Sequence, residues 1–203
     1  MKIAVFGATG DTGRRICARI LEGNDIPVAF SGSSTIVEGV EGLIATPINV
    51  LDQDKVHAAI SGVDIVISAI GGAMVNRTKG LQNIIKASMK HDIQRLIVIG
   101  GAGILPVSSG ERLSQKSSFP DFLQSVTHAH YQAYESLRDS DLEWTMICPG
   151  AMRAGNSDGT YRSQGELVLD NLQGVMYDDV AHLTLRCAKE GLYLKQRVAI
   201  SNP

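Results

Sequence analysis

A chain of 203 residues with 19 basic and 21 acidic side chains, formal charge −2, offers no electrostatic attraction for nucleic acid or an anionic membrane. It is long enough to bury a substantial core, and no apolar run approaches the roughly 20 residues that a membrane-crossing helix needs. The sequence begins on strand-like residues and a glycine loop, with no room for a signal peptide, so the expectation is a soluble, cytoplasmic protein.

The first element is the most informative. Ile3–Phe6 reads as a short apolar strand and runs straight into Gly7-Ala8-Thr9-Gly10-Asp11-Thr12-Gly13, a Gly-x-x-Gly-x-x-Gly turn that opens a helix. Glycines there let the backbone approach a ligand, and the helix start offers unpaired N–H groups with partial positive charge. A dinucleotide pyrophosphate suits that environment. Along the helix, Ile16, Ile20 and Leu21 mark an inward face and leave Arg14, Arg15 and Arg19 for solvent.

Further strands are expected at Val28–Phe30, Ile44–Ile48, Asp64–Ile70, Leu96–Ile99 and Trp144–Cys148. Several are continuously apolar, as parallel strands covered on both faces should be. Leu81, Ile84, Ile85 and Met89 mark a second helix, and Phe122, Val126, Ala129, Ala133 and Leu137 a third. Tyr177–Cys187 has the spacing of a closing helix with Asp178 and Asp179 at its start, followed by one or two edge strands at Leu192–Leu194 and Val198–Ile200. Cys17, Cys148 and Cys187 lie in apolar surroundings without metal-ligand spacing and are expected to be reduced core thiols; no metal site is expected.

Strand alternating with helix implies an α/β chain, a Rossmann-type doubly wound parallel sheet with helices on both faces. Residues 1–203 are read as one domain, with a small substrate-side extension from the irregular stretches 100–120 and 150–174. Both stretches follow strands and are expected to wall a pocket beyond the carboxyl ends of the sheet.

Three segments carry a family likeness: Gly7-Ala8-Thr9-Gly10-x-x-Gly13, Ser68-Ala69-Ile70-Gly71, and Glu143-Trp144-Thr145-Met146-Ile147-Cys148-Pro149-Gly150. Together they resemble an atypical short-chain dehydrogenase/reductase, and more closely the NmrA-like, biliverdin-reductase-B/flavin-reductase-like group of NAD(P)H-binding proteins. The resemblance implies that Gly7, Thr9, Gly10, Asp11, Thr12 and Gly13 cradle the pyrophosphate and that Asn49 and Val50 border the adenine. It further implies that Ala69, Ile70 and Gly71 pass beneath the adenosine ribose, and that Pro149, Gly150, Ala151 and Met152 flank the nicotinamide.

In NAD-selective sheets an acidic residue ends the second strand and binds the ribose 2′-hydroxyl. Here Phe30-Ser31-Gly32-Ser33-Ser34-Thr35 has no carboxylate before Glu38. NADP(H) is therefore favoured over NAD(H), with Ser31, Ser33 and Ser34 as donors to a 2′-phosphate and Arg14 as the source of charge.

The family's catalytic pattern is less complete. Thr127-His128-Ala129-His130-Tyr131-Gln132-Ala133-Tyr134-Glu135-Ser136-Leu137-Arg138 contains no Tyr-x-x-x-Lys; Tyr134 with Arg138 alone keeps a cation at that spacing. Ala102 stands at or near the position of the catalytic serine, and Ala151 where biliverdin reductase B has histidine. Tyr131, Tyr134, His130 and His128 are the candidates for a proton donor. Reduction of a flavin or quinone needs little more than orientation of the nicotinamide, because the proton can come from solvent. The reading is an NAD(P)H-dependent oxidoreductase acting on such a flat acceptor, with the Gly100–Gly103 strip leaving room for it. The alternative is an NmrA-like sensor that binds cofactor without turnover; an epimerase lacks both the Tyr–Lys pair and a larger substrate domain.

Overall fold

The computed structural model describes residues 1–32, 35–155, 157 and 159–203. Strands β1 (Lys2–Phe6), β2 (Ile26–Ser31), β3 (Thr46–Pro47), β4 (Ile65–Ser68), β5 (Arg95–Ile99) and β6 (Glu143–Pro149) alternate with helices α1 (Asp11–Glu22), α2 (Gln53–Ala59), α3 (Leu81–Lys90) and α4 (Gln124–Arg138). Beyond β6 come β7 (Met152–Arg153), β8 (Arg162–Gly165), β9 (Val175–Met176), α5 (Tyr177–Glu190) and β10 (Gln196–Ser201). The described residues form an eight-stranded sheet in the order β3-β2-β1-β4-β5-β6-β10-β8, parallel except for β8. This is a Rossmann-type sheet, and its order reverses direction between β1 and β4, the crevice where ligands of such sheets bind.

Successive residues of a strand face opposite sides, so a strand buried on both faces must be apolar at every position. In β1, Ala4 and Phe6 pack with Val56, Ile84 and Leu137 under α2, α3 and α4, whereas Ile3 and Val5 pack with Ile16, Ile20 and Val180 under α1 and α5. A bidentate ion pair ties α1 to α5, with Arg19 Nε and Nη2 at 3.1 and 2.5 Å from the Asp178 carboxylate.

Several expectations need correction. The third strand shortens to Thr46–Pro47, with Ile44 74% exposed in an isolated bridge to Ile36. Phe122 is 82% exposed in a 3₁₀ turn ahead of α4, and Leu21 and Met89 are also exposed. Val198–Ile200 is not an edge: β10 lies between β6 and the antiparallel β8, whose polar sequence Arg-Ser-Gln-Gly gave no strand pattern, and Leu192–Leu194 is not a strand. All three cysteines are free and buried, and burial pushes the thiols up to about 12 for Cys17 and Cys148 and about 11 for Cys187. Among the described residues no helix is long and apolar enough to cross a membrane.

Candidate functional site

The turn between β1 and α1 is built by close backbone contacts. Gly7 has φ +81°, and a Cβ there would stand 2.4 Å from the Ala69 carbonyl oxygen; a Cβ on Gly13 would stand 2.1 Å from the carbonyl oxygen of Gly7. The N–H groups of Gly7 and Ala8 both reach the Phe30 carbonyl at 3.0 Å, and Gly10 N–H reaches Gly7 O at 3.1 Å. Gly10 caps α1 without a side-chain hydrogen bond, so the first-turn N–H groups of Asp11, Thr12 and Gly13 have no partner within the helix. The result is a backbone cradle with free donors at its mouth, closed to any side chain at two of its three glycines.

The cradle opens into a cleft of about 880 Å³ at the carboxyl ends of the strands, at the upper end of the size of small-molecule sites. Of the residues singled out from sequence, Gly7, Thr9, Gly10, Asp11, Thr12, Ser31, Asn49, Val50, Ala69, Ile70, Gly71, His130 and Met152 line it. Thr9 Oγ1 and Ser31 Oγ are 2.8 Å apart, linking the glycine loop to the end of β2. The Asn49 side chain accepts the Leu51 N–H at 3.0 Å, a local turn, and Thr12 Oγ1 donates to Met152 Sδ at 3.8 Å, joining α1 to β7.

Other singled-out residues fall outside the cleft lining. Gly13 is buried against Gly7, and Arg14 donates to Asp11 at 3.1 Å instead of facing the cleft. Pro149 is paired within the sheet opposite Ile200, Gly150 packs near Leu172, and exposed Ala151 accepts the Val175 N–H at 2.9 Å. Ser33 lies outside the described residues, as does Ser34. Tyr131 lies under the Arg112 guanidinium at 4.1 Å, and Tyr134 is held edge-on to Trp144 with Arg197 4.3 Å above its ring. Their rings serve packing and cation–π contact. His128 is exposed on the same helix.

The two irregular stretches contribute only Gly100 and Met152 to the lining among the described residues. The glycines of the Gly100–Gly103 strip mainly let neighbours approach: a Cβ would meet Met146 at Gly100, His130 at Gly101, and Thr127 with Phe119 at Gly103. That corrects the view of the strip as open space, and buried Ala102 adds no side chain to the cleft.

His130 lines the cleft against Gly101, with burial, and then the Arg77 charge, driving its pKa down to about 4. At neutral pH it is an uncharged imidazole. Sequence reasoning missed Lys55, Asn76, Arg77 and Tyr177, all of which line the cleft. Their common signal is position, in the loops and first helical turns that follow strand carboxyl ends. Among the described residues no three His, Cys, Asp or Glu side chains gather to hold a metal ion.

A family model described as NAD(P)H-binding matches residues 7–191. The fold recurs in a protein of Burkholderia pseudomallei provisionally described as exported, 26% identical over 99% of each chain, TM-score 0.87. It recurs in a protein of Streptococcus pneumoniae provisionally named an NADH-flavin reductase, 22% identical over the full length of both chains, TM-score 0.83. A short-chain dehydrogenase/reductase of Veillonella parvula, solved in complex with NADP, is 19% identical over 100% of this chain and 94% of its own, TM-score 0.79. The cradle shaped by Gly7, Gly10 and Gly13 fits the phosphates of such a dinucleotide, and the chain belongs to the NAD(P)H-binding family, with the fold of atypical short-chain dehydrogenases/reductases.

Proposed function

We propose that the protein is an NAD(P)H-dependent oxidoreductase that reduces a flavin, quinone or similar flat acceptor, with NADP(H) favoured over NAD(H). The observation that carries this reading is a single cleft joining the glycine cradle to a neutral His130, with no Tyr-x-x-x-Lys pair along its described lining. The N–H groups of Asp11, Thr12 and Gly13 would hold the pyrophosphate, and Ser31, Gly32, Asn49 and Val50 would border the adenosine end. Ala69, Ile70 and Gly71 line the cleft between that end and Gly100, and Met152 borders it from β7. Reduced nicotinamide, when bound, supplies hydride. The protein's share is to orient both partners and keep water from between them.

A neutral His130 favours acceptors that need no proton from it. A ketone needs a donor that stabilises the developing oxyanion and delivers a proton, whereas a flavin or quinone can take its proton from solvent. An imidazole with a pKa near 4 is a hydrogen-bonding group at neutral pH and a poor source of protons. Cofactor preference follows the end of β2, where exposed Gly32 leaves no carboxylate to repel a 2′-phosphate. Arg14 lies outside the cleft lining, so Lys55, which lines it, is the cation that would supply charge there.

The absence of a Tyr-x-x-x-Lys pair among the described cleft residues equally suits the second reading, an NmrA-like sensor that binds cofactor without turnover. Calorimetric titration with NADPH, NADP⁺, NADH and NAD⁺, followed by a panel of flavins and quinones, separates the two. Tight NADPH binding with acceptor-dependent oxidation supports the oxidoreductase; tight binding with none supports the sensor, and no binding contradicts both.

A further inference from the structure

Three of the cleft-lining residues are acidic or strongly basic, Asp11, Lys55 and Arg77, and two of them have ion-pair partners. Asp11 is bonded to Arg14 at 3.1 Å and Lys55 faces Asp52 at 3.4 Å, whereas Arg77 makes no ion pair with any described residue. Its Nη1 donates to the Gly72 carbonyl, and its buried Nε has no hydrogen-bond partner. Arg77 sits in a π-helical turn, Asn76–Gly80, that leads into α3; such widened turns are frequent at functional sites. The cleft side chain that α4 contributes is His130, which carries no negative charge in either protonation state. A half-buried guanidinium without a counter-charge is a receptor for an anion, and bidentate contact with phosphate or carboxylate is its strongest pairing.

The cofactor's own phosphates do not account for this charge. The pyrophosphate suits the α1 cradle, and a 2′-phosphate belongs at the end of β2 beside Ser31 and Gly32. Arg77 instead follows β4, on the side of the cleft formed by His130 and Gly100. Building on the oxidoreductase reading, we infer that Arg77 recognises a phosphate or carboxylate carried by the acceptor, so that anionic acceptors are selected over neutral ones of the same ring system. No bond to the acceptor is made or broken by this residue; it fixes position and specificity.

Riboflavin and FMN share one ring system and differ by a phosphate. Their binding to the protein saturated with NADP⁺, read by quenching of flavin fluorescence, tests the inference without turnover. The wild type is expected to hold FMN at least about tenfold more tightly than riboflavin, and Arg77→Gln to bring the two within about twofold. In the wild type the FMN advantage should also shrink as salt is raised, a readout that needs no variant. Equal affinities in the wild type, or a preference that survives in Arg77→Gln, would overturn it. So would a variant that loses NADP⁺ affinity while keeping its FMN preference, because Arg77 would then belong to the cofactor. Failure of both flavins to bind, with no quinone reduced either, contradicts the oxidoreductase reading itself, whereas equal binding with turnover contradicts only the role of Arg77.

Discussion

Gly13 packs on Gly7 so closely that a Cβ at position 13 would lie 2.1 Å from the Gly7 carbonyl oxygen. Both atoms are held by backbone, so nothing flexible can yield. Gly13→Ala should therefore push α1 away from the loop, with a stability cost of about 1–3 kcal/mol. NADPH affinity should fall by more than about tenfold, since the helix start is displaced along with its donors. Denaturant unfolding and calorimetric titration of the same preparation check this. A folded Gly13→Ala protein with wild-type affinity would mean that the cradle is not the phosphate site.

Cofactor choice can be tested at Gly32. The residue is exposed at the end of β2, and a Cβ there would find its nearest neighbour, the Ile48 carbonyl oxygen, at 3.9 Å, so a side chain fits. Gly32→Asp places a carboxylate where a 2′-phosphate is proposed to sit. The ratio of NADPH to NADH affinity should fall by about tenfold or more, with NADH binding retained. An unchanged ratio would move the 2′-phosphate away from β2.

The depressed pKa of His130 has a consequence for stability. Its folded value of about 4 lies below the ordinary 6.5, so between those values the unfolded chain binds more protons than the folded one. Stability should therefore decline as pH falls from about 6.5 toward 4. His130→Gln should flatten that part of the profile by removing its contribution. Proton NMR of the imidazole would show directly whether His130 stays neutral across this window, and titration near 6.5 would contradict the placement.

Arg95 is a structural counterpart to Arg77. Buried in β5, it donates to the Cys187 carbonyl at 3.2 and 2.6 Å, to Glu143 O at 2.5 Å, to Leu192 O at 3.1 Å and to Thr145 Oγ1 at 2.7 Å. Cys187 lies in the last turn of α5, where the helix presents partial negative charge. Arg95→Met removes these hydrogen bonds and should cost on the order of 3 kcal/mol, read as a lower denaturant midpoint. At low temperature, where the variant is still folded, NADPH affinity should match the wild type, because the cleft lies elsewhere.

What the sequence revealed depended on periodicity and on glycine. The apolar runs of β1, β4, β5 and β6 were legible because both faces of each strand are buried, as the split of Ala4 and Phe6 from Ile3 and Val5 shows. The glycine loop was legible because Gly7 and Gly13 meet backbone where any side chain would collide. Strand β8 was not, since a polar edge strand needs only its backbone bonds to β10. Phe122 was assigned to a buried face by spacing alone, yet the helix begins only at Gln124. Arg77 and Tyr177 reach the cleft through loop and helix-start geometry that no local pattern encodes. Conversely, Tyr131 and Tyr134 had suggestive neighbours in sequence, but Arg112, Trp144 and Arg197 engage their rings.

The most direct test of the central claim is an anaerobic single-turnover experiment. Protein saturated with NADPH is mixed rapidly with FMN while nicotinamide and flavin absorbance are followed together. The account predicts that both absorbances fall at the same rate, at one FMN reduced per NADPH oxidised. A bound NADPH whose absorbance persists beside oxidised FMN, and beside a quinone in its place, would contradict it and leave a protein that binds the cofactor without spending it.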